Sequence, residues 1–573
     1  MASSIIGNAI HDGVSNPASQ GFVADLLSRT SSVTAITAAV ILGGAVFLSL
    51  LNALVAPKMD PSEPPTVKPT IPLIGHIIGI IRHQSDYHRI VYNSNPSKEI
   101  VTLPMLNGKM YSVFDPQLIQ TVLRKKLASF DPFTTEFAQK TFGLTAETFA
   151  KITDNPQLVP DFTDAIHSSF QTESLHKMNV HFLTQISNKL GKVGSGAGIV
   201  DSVNSGKESL IDRGVQVENL YLWVRDIMSM ATTRALYGDH DPYVRDPSLI
   251  EMMWTFEKSL PYLLLSLFPS ITMRKAYLAR AKLQATMAEY YTAEYDLKDP
   301  TTSQLAINRA NALRKYSFTG EEIGHIDAIL PVVATTNAVP TFYWLFLYVL
   351  ARPELVSRLR AEVLSAATIT SNTDGDGSGR TATFNIANFD AQIPLLISCY
   401  RETMRLTNHS VSMRRIMGDL LVDGSTGRQY LLKKGTDIQL PAGVTHYSKS
   451  VWGENASEFD PERFLPPSQA VPAEKTQASL DAERRKKDAY FPFGGGRHLC
   501  PGRNFAFAEI MGLMCVLLLG YDIEPVGMEF ADLKMGPPLM ASSAVKPENR
   551  GVGLGGKIRR RKGWEDVRWQ FKC

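Results

Sequence analysis

The sequence predicts a mainly α-helical chain with small β-sheets behind an N-terminal transmembrane helix. Three observations carry that expectation. Helix-period apolar patterning fills most of the text beyond Pro116. One uncharged apolar run lies near the N-terminus, between Ser31 and Ala56. A glycine-rich loop presents a single cysteine, Cys500, just ahead of a strongly apolar helix. Composition sets the outer bounds. Of 573 residues, 44% are apolar and 20% charged, which excludes a disordered or fibrous chain. The formal net charge of +3 is too small to call for a polyanionic partner, so no nucleic acid is expected. The cysteines Cys399, Cys500, Cys515 and Cys573 are too few for a disulfide framework. No CxxC occurs, which argues against zinc held by cysteine pairs.

Taken in order, residues 1–32 form a polar lead with Asp12, Asp25 and Arg29. Residues 33–55 are mostly apolar and would span roughly 34 Å as a helix, enough to cross a bilayer. A cleaved signal has a shorter apolar core and a basic start, so 33–55 reads as a single-pass anchor; a buried core helix is the alternative. The scarcity of paired cysteines favours a cytosolic body and a lumenal lead. The sequons at Asn408 and Asn455 would matter only if the body were lumenal. Residues 56–75 carry five prolines between Pro61 and Pro72 and read as a stiff hinge.

From 76 to 573 one large body is expected, although length alone suggests three to four domains at roughly 150 residues each. Residues 100–114 read as a hairpin with an Asn107-Gly108 turn. Helical text covers 116–130, 216–238, 250–298, 319–350, 353–366 and 390–407, and a last helix runs from Asn504 to Leu519. Three Gly/Ser-rich or charge-rich stretches, 193–214, 367–382 and 466–488, read as surface insertions. The basic run 557–562 reads as membrane-facing or solvated, with solvation the commoner fate.

The sharpest chemistry lies in Phe491–Ala506. Glycines let backbone approach a flat ligand. A cysteine at a helix N-terminus has its thiolate favoured by the dipole and by free amides. Those amides can also tune a metal held by the sulfur. A structural glycine loop around a buried cysteine is the bland alternative. A phosphate cradle is disfavoured, since no Lys-Ser/Thr follows.

Phe493-x-x-Gly496-x-His498-x-Cys500-x-Gly502 resembles the haem-binding signature of the cytochrome P450 family. The resemblance implies that family's fold, with haem b held by Cys500 as axial thiolate. A thiolate ligand pushes electron density that favours O–O cleavage. It also implies that His498 or Arg497 faces a haem propionate. His498 stands where the family more often has Arg. The family's E-x-x-R pair is matched by Glu402 and Arg405, one helical turn apart. Its P-E-R-F stretch is matched by Pro461–Phe464, with Arg463 as third partner of a buried structural triad. Arg414 matches a second propionate-binding arginine, with a surface charge as the alternative. The motifs stand in family order across roughly 64–555, and hinge and anchor match the membrane-bound eukaryotic type.

Two departures stand out. The family's central helix usually carries an acid and an alcohol for proton delivery. Here the register places Ala334 at the glycine, Thr336 at the acid and Asn337 at the alcohol, and Thr335 or Thr336 in a shifted register is the alternative. Pro340 is expected to kink this helix. The pattern N-x-x-P-x-x-x-W, Asn337 to Trp344, resembles the oxysterol and cholesterol 7α-hydroxylases and prostacyclin synthase. The usual W-x-x-x-R is missing from 165–185, which leaves that propionate contact unassigned.

The resemblance implies a haem-thiolate monooxygenase in the endoplasmic reticulum membrane, catalytic domain in the cytosol. Its substrate would be small, bulky and apolar, such as a steroid, terpenoid or polyketide. Electrons would come from NADPH through NADPH–cytochrome P450 reductase, with cytochrome b5 as a further partner. Arg484, Arg485, Lys486, Lys487, Arg497 and Arg503 are candidates for the donor's docking patch. The alternatives are a reductase-independent isomerase of peroxide-type substrates and a non-enzymatic haem-binding membrane protein.

Overall fold

The computed structural model describes residues 59–573 except 72–73, 107, 195–205, 372–378, 466–475 and 541, together with Thr37, Leu42 and Gly43. The anchor expected at 33–55 lies almost wholly outside the described residues. Most described elements are helices, and the strands gather into four small sheets.

The core forms around two helices that are apolar on every side, Ala338–Leu350 and Arg503–Gly520. A helix with no polar face must be enclosed. Gly320–Leu350 and Arg503–Gly520 are the two described segments long and apolar enough to cross a membrane, but the greater part of the apolar stretch in each is buried within the protein. They are core helices. Helix Pro394–Thr407 packs on Ala338–Leu350, and Thr172–Gly191 packs on Arg503–Gly520.

The largest sheet has five strands in the order Ile100–Met105, Gly108–Val113, Asp437–Pro441, Val411–Ile416, Ala128–Ser129. Asp437–Pro441 runs parallel to Gly108–Val113 and antiparallel to Val411–Ile416. The expected hairpin is present, but Gly108 pairs with Met105 and so begins the second strand. The proline-rich segment lies along this sheet. The Val67 N–H donates to the Thr102 carbonyl, and the Thr102 N–H to the Pro65 carbonyl. Buried Glu63 accepts from Lys109 Nζ and from the Tyr111 hydroxyl, both at 2.6 Å.

Several sequence expectations are corrected. The long helical text 250–298 divides into Ser248–Leu265, Pro269–Thr272, Arg274–Thr292 and Tyr295–Lys298. Helix 116–130 stops at Arg124, because the next residues turn into strand Ala128–Ser129. Each stretch read as an insertion contributes structure at its borders. Glu208–Ile211 and Gly214–Val217 join Gly555–Arg560 and Tyr521–Val526 in a four-stranded sheet. Thr368–Ser371 and Arg380–Asn385 form a sheet with Val567–Lys572. Gln477–Ala489 is a helix capped by Thr476. The basic run is not free either. Lys557–Arg560 belongs to the strand Gly555–Arg560, and Arg560 is buried against the Tyr521 ring at 4.9 Å.

The segment leading into the central helix is held by close helix contact. Gly320–Asp327 starts with a capping box between Thr319 and Glu322 and packs on Arg274–Thr292. At Gly324 an added Cβ would lie 2.3 Å from the Ala288 nitrogen, a contact that backbone cannot relieve. Gly324→Ala is therefore expected to destabilise by about 1–3 kcal/mol through overpacking. Gly191→Ala, where the added carbon meets nothing within 4 Å, serves as the control. Urea midpoints of both variants test the contact, and equal midpoints would refute it.

Candidate active site

The Cys500 loop is fixed from three sides before any ligand is considered. First, its N-terminal half is tied to a buried charge cluster. Glu402 and Arg405 are wholly buried on helix Pro394–Thr407 and meet in a bidentate pair at 2.7 and 2.8 Å. Arg463 Nε donates to the same carboxylate at 2.9 Å. The spare donors of Arg405 reach the carbonyls of His446 and Ala456 at 2.5 and 2.6 Å. His446 passes the connection on: its Nε2 accepts the Phe491 N–H at 3.4 Å, and Nδ1 faces the Asn408 carbonyl at 3.2 Å. Burial, with Arg405 nearby, pushes His446 down to about 3, so it is neutral and its proton sits on Nδ1. Asn408 Nδ2 donates to the Pro492 carbonyl at 2.8 Å. The sequon asparagine is thus buried and used internally.

Second, the loop leans on helix Pro116–Arg124. Gly496 has φ +63°, and a Cβ there would stand 1.9 Å from the Leu123 carbonyl oxygen. Its glycine serves this approach to the helix and not an approach to the cavity, which Gly496 does not line. Third, the loop closes on itself: the Cys500 N–H donates to the Phe493 carbonyl at 3.1 Å. Helix Arg503–Gly520 begins directly after. The Gly502 and Arg503 amides and the Arg503 charge hold the Cys500 thiol down, while burial pushes it up more strongly.

Opposite lies a cavity of about 550 Å³. Its cysteine wall includes Phe493, Cys500, Gly502, Phe505 and Ala506; its far wall includes Ala334, Asn337, Ala338 and Thr341. The far wall is where the central helix breaks, between Leu330–Thr335 and Ala338–Leu350. The break falls one turn before Pro340, which sits in the first turn of the second helix, where no amide donor is missed. Asn337 occupies the N-cap position without capping its own helix. Its Oδ1 instead accepts the N–H groups of Ser543 at 2.9 Å and Ala544 at 3.2 Å. Ser543 and Ala544 also line the cavity and form its roof.

The expected site residues divide. Ala334, Asn337, Arg414, Phe493, His498, Cys500 and Gly502 line the cavity. Thr336 does not: its hydroxyl donates back to the Val332 carbonyl at 2.8 Å and is buried. Thr335 is bound likewise to the Pro331 carbonyl at 2.7 Å, so the shifted register also brings no hydroxyl to the cavity. Arg497 is exposed and off the cavity, and of that pair His498 is the one that reaches it. The reading of Arg414 as a surface charge is overturned, since it is 3% exposed. Where the W-x-x-x-R residues are missing, Ile166 and Phe170 reach the cavity and supply no charge. Sequence reasoning missed Thr341, whose hydroxyl donates to the Asn337 carbonyl at 2.7 Å, and the roof 542–546, which carries no motif.

These residues suit haem. Its iron would need one protein thiolate and bring its other ligands, and among the described residues no cluster of three His, Cys, Asp or Glu competes. The walls are largely apolar. Arg414 Nε is buried with no partner among the described residues, a vacancy that suits a carboxylate. Burial lowers Arg414 to about 10, so it stays charged at neutral pH. His498 Nε2 accepts the Phe130 N–H at 3.3 Å, which leaves Nδ1 to donate.

Comparison with known proteins gives consistent results. The family model "Cytochrome P450" matches residues 227–549. A cytochrome P450 monooxygenase of Gibberella zeae is 35% identical over 535 residues, covering 92% of this chain and 95% of that protein. Cytochrome P450 monooxygenase nodJ of Hypoxylon pulicicidum is 26% identical over 516 residues, covering 90% and 93%. The 25-hydroxycholesterol 7-alpha-hydroxylase of Rattus norvegicus is 26% identical over 287 residues, covering 49% of this chain and 66% of that protein.

One acid beside the site gives a pH test. Glu509, two turns past Cys500, is 1% exposed. It accepts from the Thr232 hydroxyl at 2.8 Å, and its Oε2 has no partner among the described residues. Burial raises it to about 8 from 4.5. A raised acid stabilises the fold below its unfolded value, and that contribution is lost as pH rises through the folded one. Glu509→Gln keeps an acceptor for Thr232 and removes the proton. Its stability relative to wild type is expected to climb between pH 5 and 8, by on the order of 4 kcal/mol. A gap in urea unfolding that does not change with pH would refute the assignment.

Proposed function

We propose, because this chain belongs to the cytochrome P450 family of oxidoreductase enzymes, that it is a membrane-anchored haem-thiolate monooxygenase acting on a bulky apolar molecule. A steroid, terpenoid or polyketide is the substrate class. The observation that carries the reading is the Cys500 sulfur, approached by two amides at a helix start and facing a largely apolar cavity. When bound, haem supplies O₂ activation: a substrate C–H, O₂, two electrons and two protons give C–OH and water.

The chain's own residues do the rest. Cys500 would ligate the iron, with the Gly502 and Arg503 amides holding its sulfur. Arg414 and His498 would hold the propionates. Ala334 keeps its stretch of the cavity wall shallow, and Asn337 fixes the roof by accepting the Ser543 and Ala544 N–H groups. The apolar run 33–55 supports an anchor in the endoplasmic reticulum membrane with the body in the cytosol. Electrons come from NADPH through a reductase, with cytochrome b5 as a further donor. Arg484, Arg485, Lys486 and Lys487 support this: they are exposed on helix Gln477–Ala489, which shares helix Pro116–Arg124 as a neighbour with the Cys500 loop.

One observation favours the second reading, a reductase-independent isomerase: neither Thr335 nor Thr336 offers a hydroxyl to the cavity. Masses separate the two. In a host strain lacking the protein, a precursor one oxygen lighter than the lost product, or differing by two hydrogens, supports the oxygenase. An isobaric precursor supports the isomerase.

Cys500→Ser is expected to abolish the reduced-CO absorption of thiolate ligation, whereas Cys399, Cys515 and Cys573 can be replaced without losing haem. A surviving band in Cys500→Ser would overturn the ligand assignment. Asn337→Ala removes the acceptor of both roof amides and is expected to raise peroxide release per NADPH consumed several-fold. Unchanged peroxide and turnover would exclude Asn337 from the chemistry.

A further inference from the structure

The cavity wall carries a second arginine, which the proposed chemistry leaves without a task. Helix Gln304–Arg314 packs on helix Leu158–Ser169 and brings Leu305 and Arg309 to the cavity. Arg309 is 6% exposed. Its surroundings in the wall are apolar. Leu305 is one turn before it on the same helix, and Ile166 is one turn past its ring partner Phe162. Leu330 follows its carboxylate partner Asp327 by three residues and also lines the cavity.

Two contacts fix the guanidinium, and neither uses its Nη groups. Nε donates to Asp327 Oδ1 at 2.8 Å. The Phe162 ring centre lies 4.6 Å from Cζ. Asp327 is 2% exposed, and its Oδ2 accepts from the Tyr237 and Tyr291 hydroxyls at 3.0 and 2.6 Å. Burial, and then the Asp327 charge, push both phenols well above 10, so they stay protonated and donate. Three donors thus share one carboxylate, and the Arg309 charge is only partly offset there. Nη1 and Nη2 have no hydrogen-bond partner among the described residues. Such a fork of donors matches the two oxygens of a carboxylate.

The charge of the cavity points the same way. Its lining includes Arg309 and Arg414 and, among the described residues, no Asp or Glu. Arg414 and His498 belong with the cysteine loop and Phe130: Arg414 donates to the Gly495 carbonyl at 3.3 Å, and His498 accepts the Phe130 N–H. They suit the two propionates of haem. Arg309 belongs to a different wall. Its partner Asp327 precedes Asn337 by ten residues, roughly 15 Å along an ideal helix. A lone cation in an apolar wall discriminates sharply. An acid gains a charge-assisted pair, whereas an ester leaves the guanidinium short of a partner.

We propose that Arg309 binds a carboxylate of the substrate through its Nη groups, so that the substrate is an apolar molecule carrying an acid group. The acid end lies at the Arg309 wall, and the apolar body extends toward Asn337. The inference rests on the haem-thiolate monooxygenase reading of the same cavity and narrows its substrate class.

The test uses the haem-loaded full-length protein and apolar acids of different shape, dodecanoic, dehydroabietic and lithocholic, each against its methyl ester. Dissociation constants are read from the shift of the haem Soret band. Melting temperatures of the same samples give a second readout that needs no haem signal. Wild type is expected to bind at least one acid about tenfold tighter than its ester at neutral pH. Arg309→Gln should erase that preference by weakening the acid and not the ester. Arg309→Gln with Asp327→Asn should do the same without leaving a buried carboxylate short of its cation, which keeps the test open should the single variant misfold. Esters that bind wild type as well as the acids do, or an acid preference that survives in the variants, would overturn the proposal. So would faster haem loss to apomyoglobin from the variants with the acid preference intact, since the guanidinium would then hold a propionate. The reduced-CO band is recorded on every sample. Its absence from the wild type would overturn the haem-thiolate reading instead, so the two failures are distinguishable.

Discussion

The chain leading into the Cys500 loop depends on one buried carboxylate. Glu402 has no access to water and receives two guanidiniums, Arg405 and Arg463, in the same charge cluster. The surplus positive charge needs acceptors, and the backbone carbonyls of His446, Ala456, Trp452 and Asn455 provide them. Each of those carbonyls therefore has a dictated place. Removing one partner of such a cluster leaves a buried charge unpaired, at a cost of roughly 3–5 kcal/mol. The cluster adds little net stability but fixes one arrangement of the chain. Through the carbonyl and ring of His446 that arrangement reaches the Phe491 N–H, where the cysteine loop begins.

The loop then needs a second reference, and Leu123 supplies it. Contact of Gly496 with a helix backbone tolerates no side chain, so the loop can sit at only one height above helix Pro116–Arg124. A third reference is the helix start at Arg503, whose amides face the sulfur. Three independent fixings on one short segment make the thiol position rigid before any ligand binds. That is the preorganisation a metal ligand requires, since a loose thiol would spend binding energy on its own ordering.

How much of this was legible in the sequence follows from the range of each interaction. The mainly helical class, the small sheets and the cysteine loop were legible because their signals are local: apolar period, glycine spacing, a helix following a turn. Glu402 and Arg405 were legible as a pair because i and i+3 share a helical face. His446 was not, since it connects Arg405 to Phe491 across sequence gaps that no periodicity spans. The roof 542–546 was invisible for the same reason. Thr336 was misread because register alone cannot say whether a hydroxyl faces a cavity or bonds back to its own helix; its bond to the Val332 carbonyl decides it. Gly496 was given the wrong neighbour: its need for a missing Cβ was real, but the crowding atom belongs to Leu123. The strands at the borders of the three polar stretches were hidden because edge strands beside Gly- and Ser-rich text lack a strong alternation.

The central helix shows what the Asn337 substitution means chemically. An acid can give up and regain a proton, and an alcohol can pass one along. A side-chain amide does neither at neutral pH; it orients. Asn337 is committed further, because its Oδ1 is taken up by the Ser543 and Ala544 amides. Only Nδ2 remains, and it can donate but not accept. The hydroxyl of Thr341 donates back to the Asn337 carbonyl. The helix facing Cys500 thus presents a fixed donor where a relay is usual, and the same residue that gives up the relay closes the roof. On the proposed chemistry the protons then need another carrier, and where water let into the cavity serves, roof closure and proton supply become opposed demands on one asparagine. A rearrangement that consumes no protons escapes that conflict. For this chain, the choice between the two reactions is therefore a question about water in the cavity more than about Cys500.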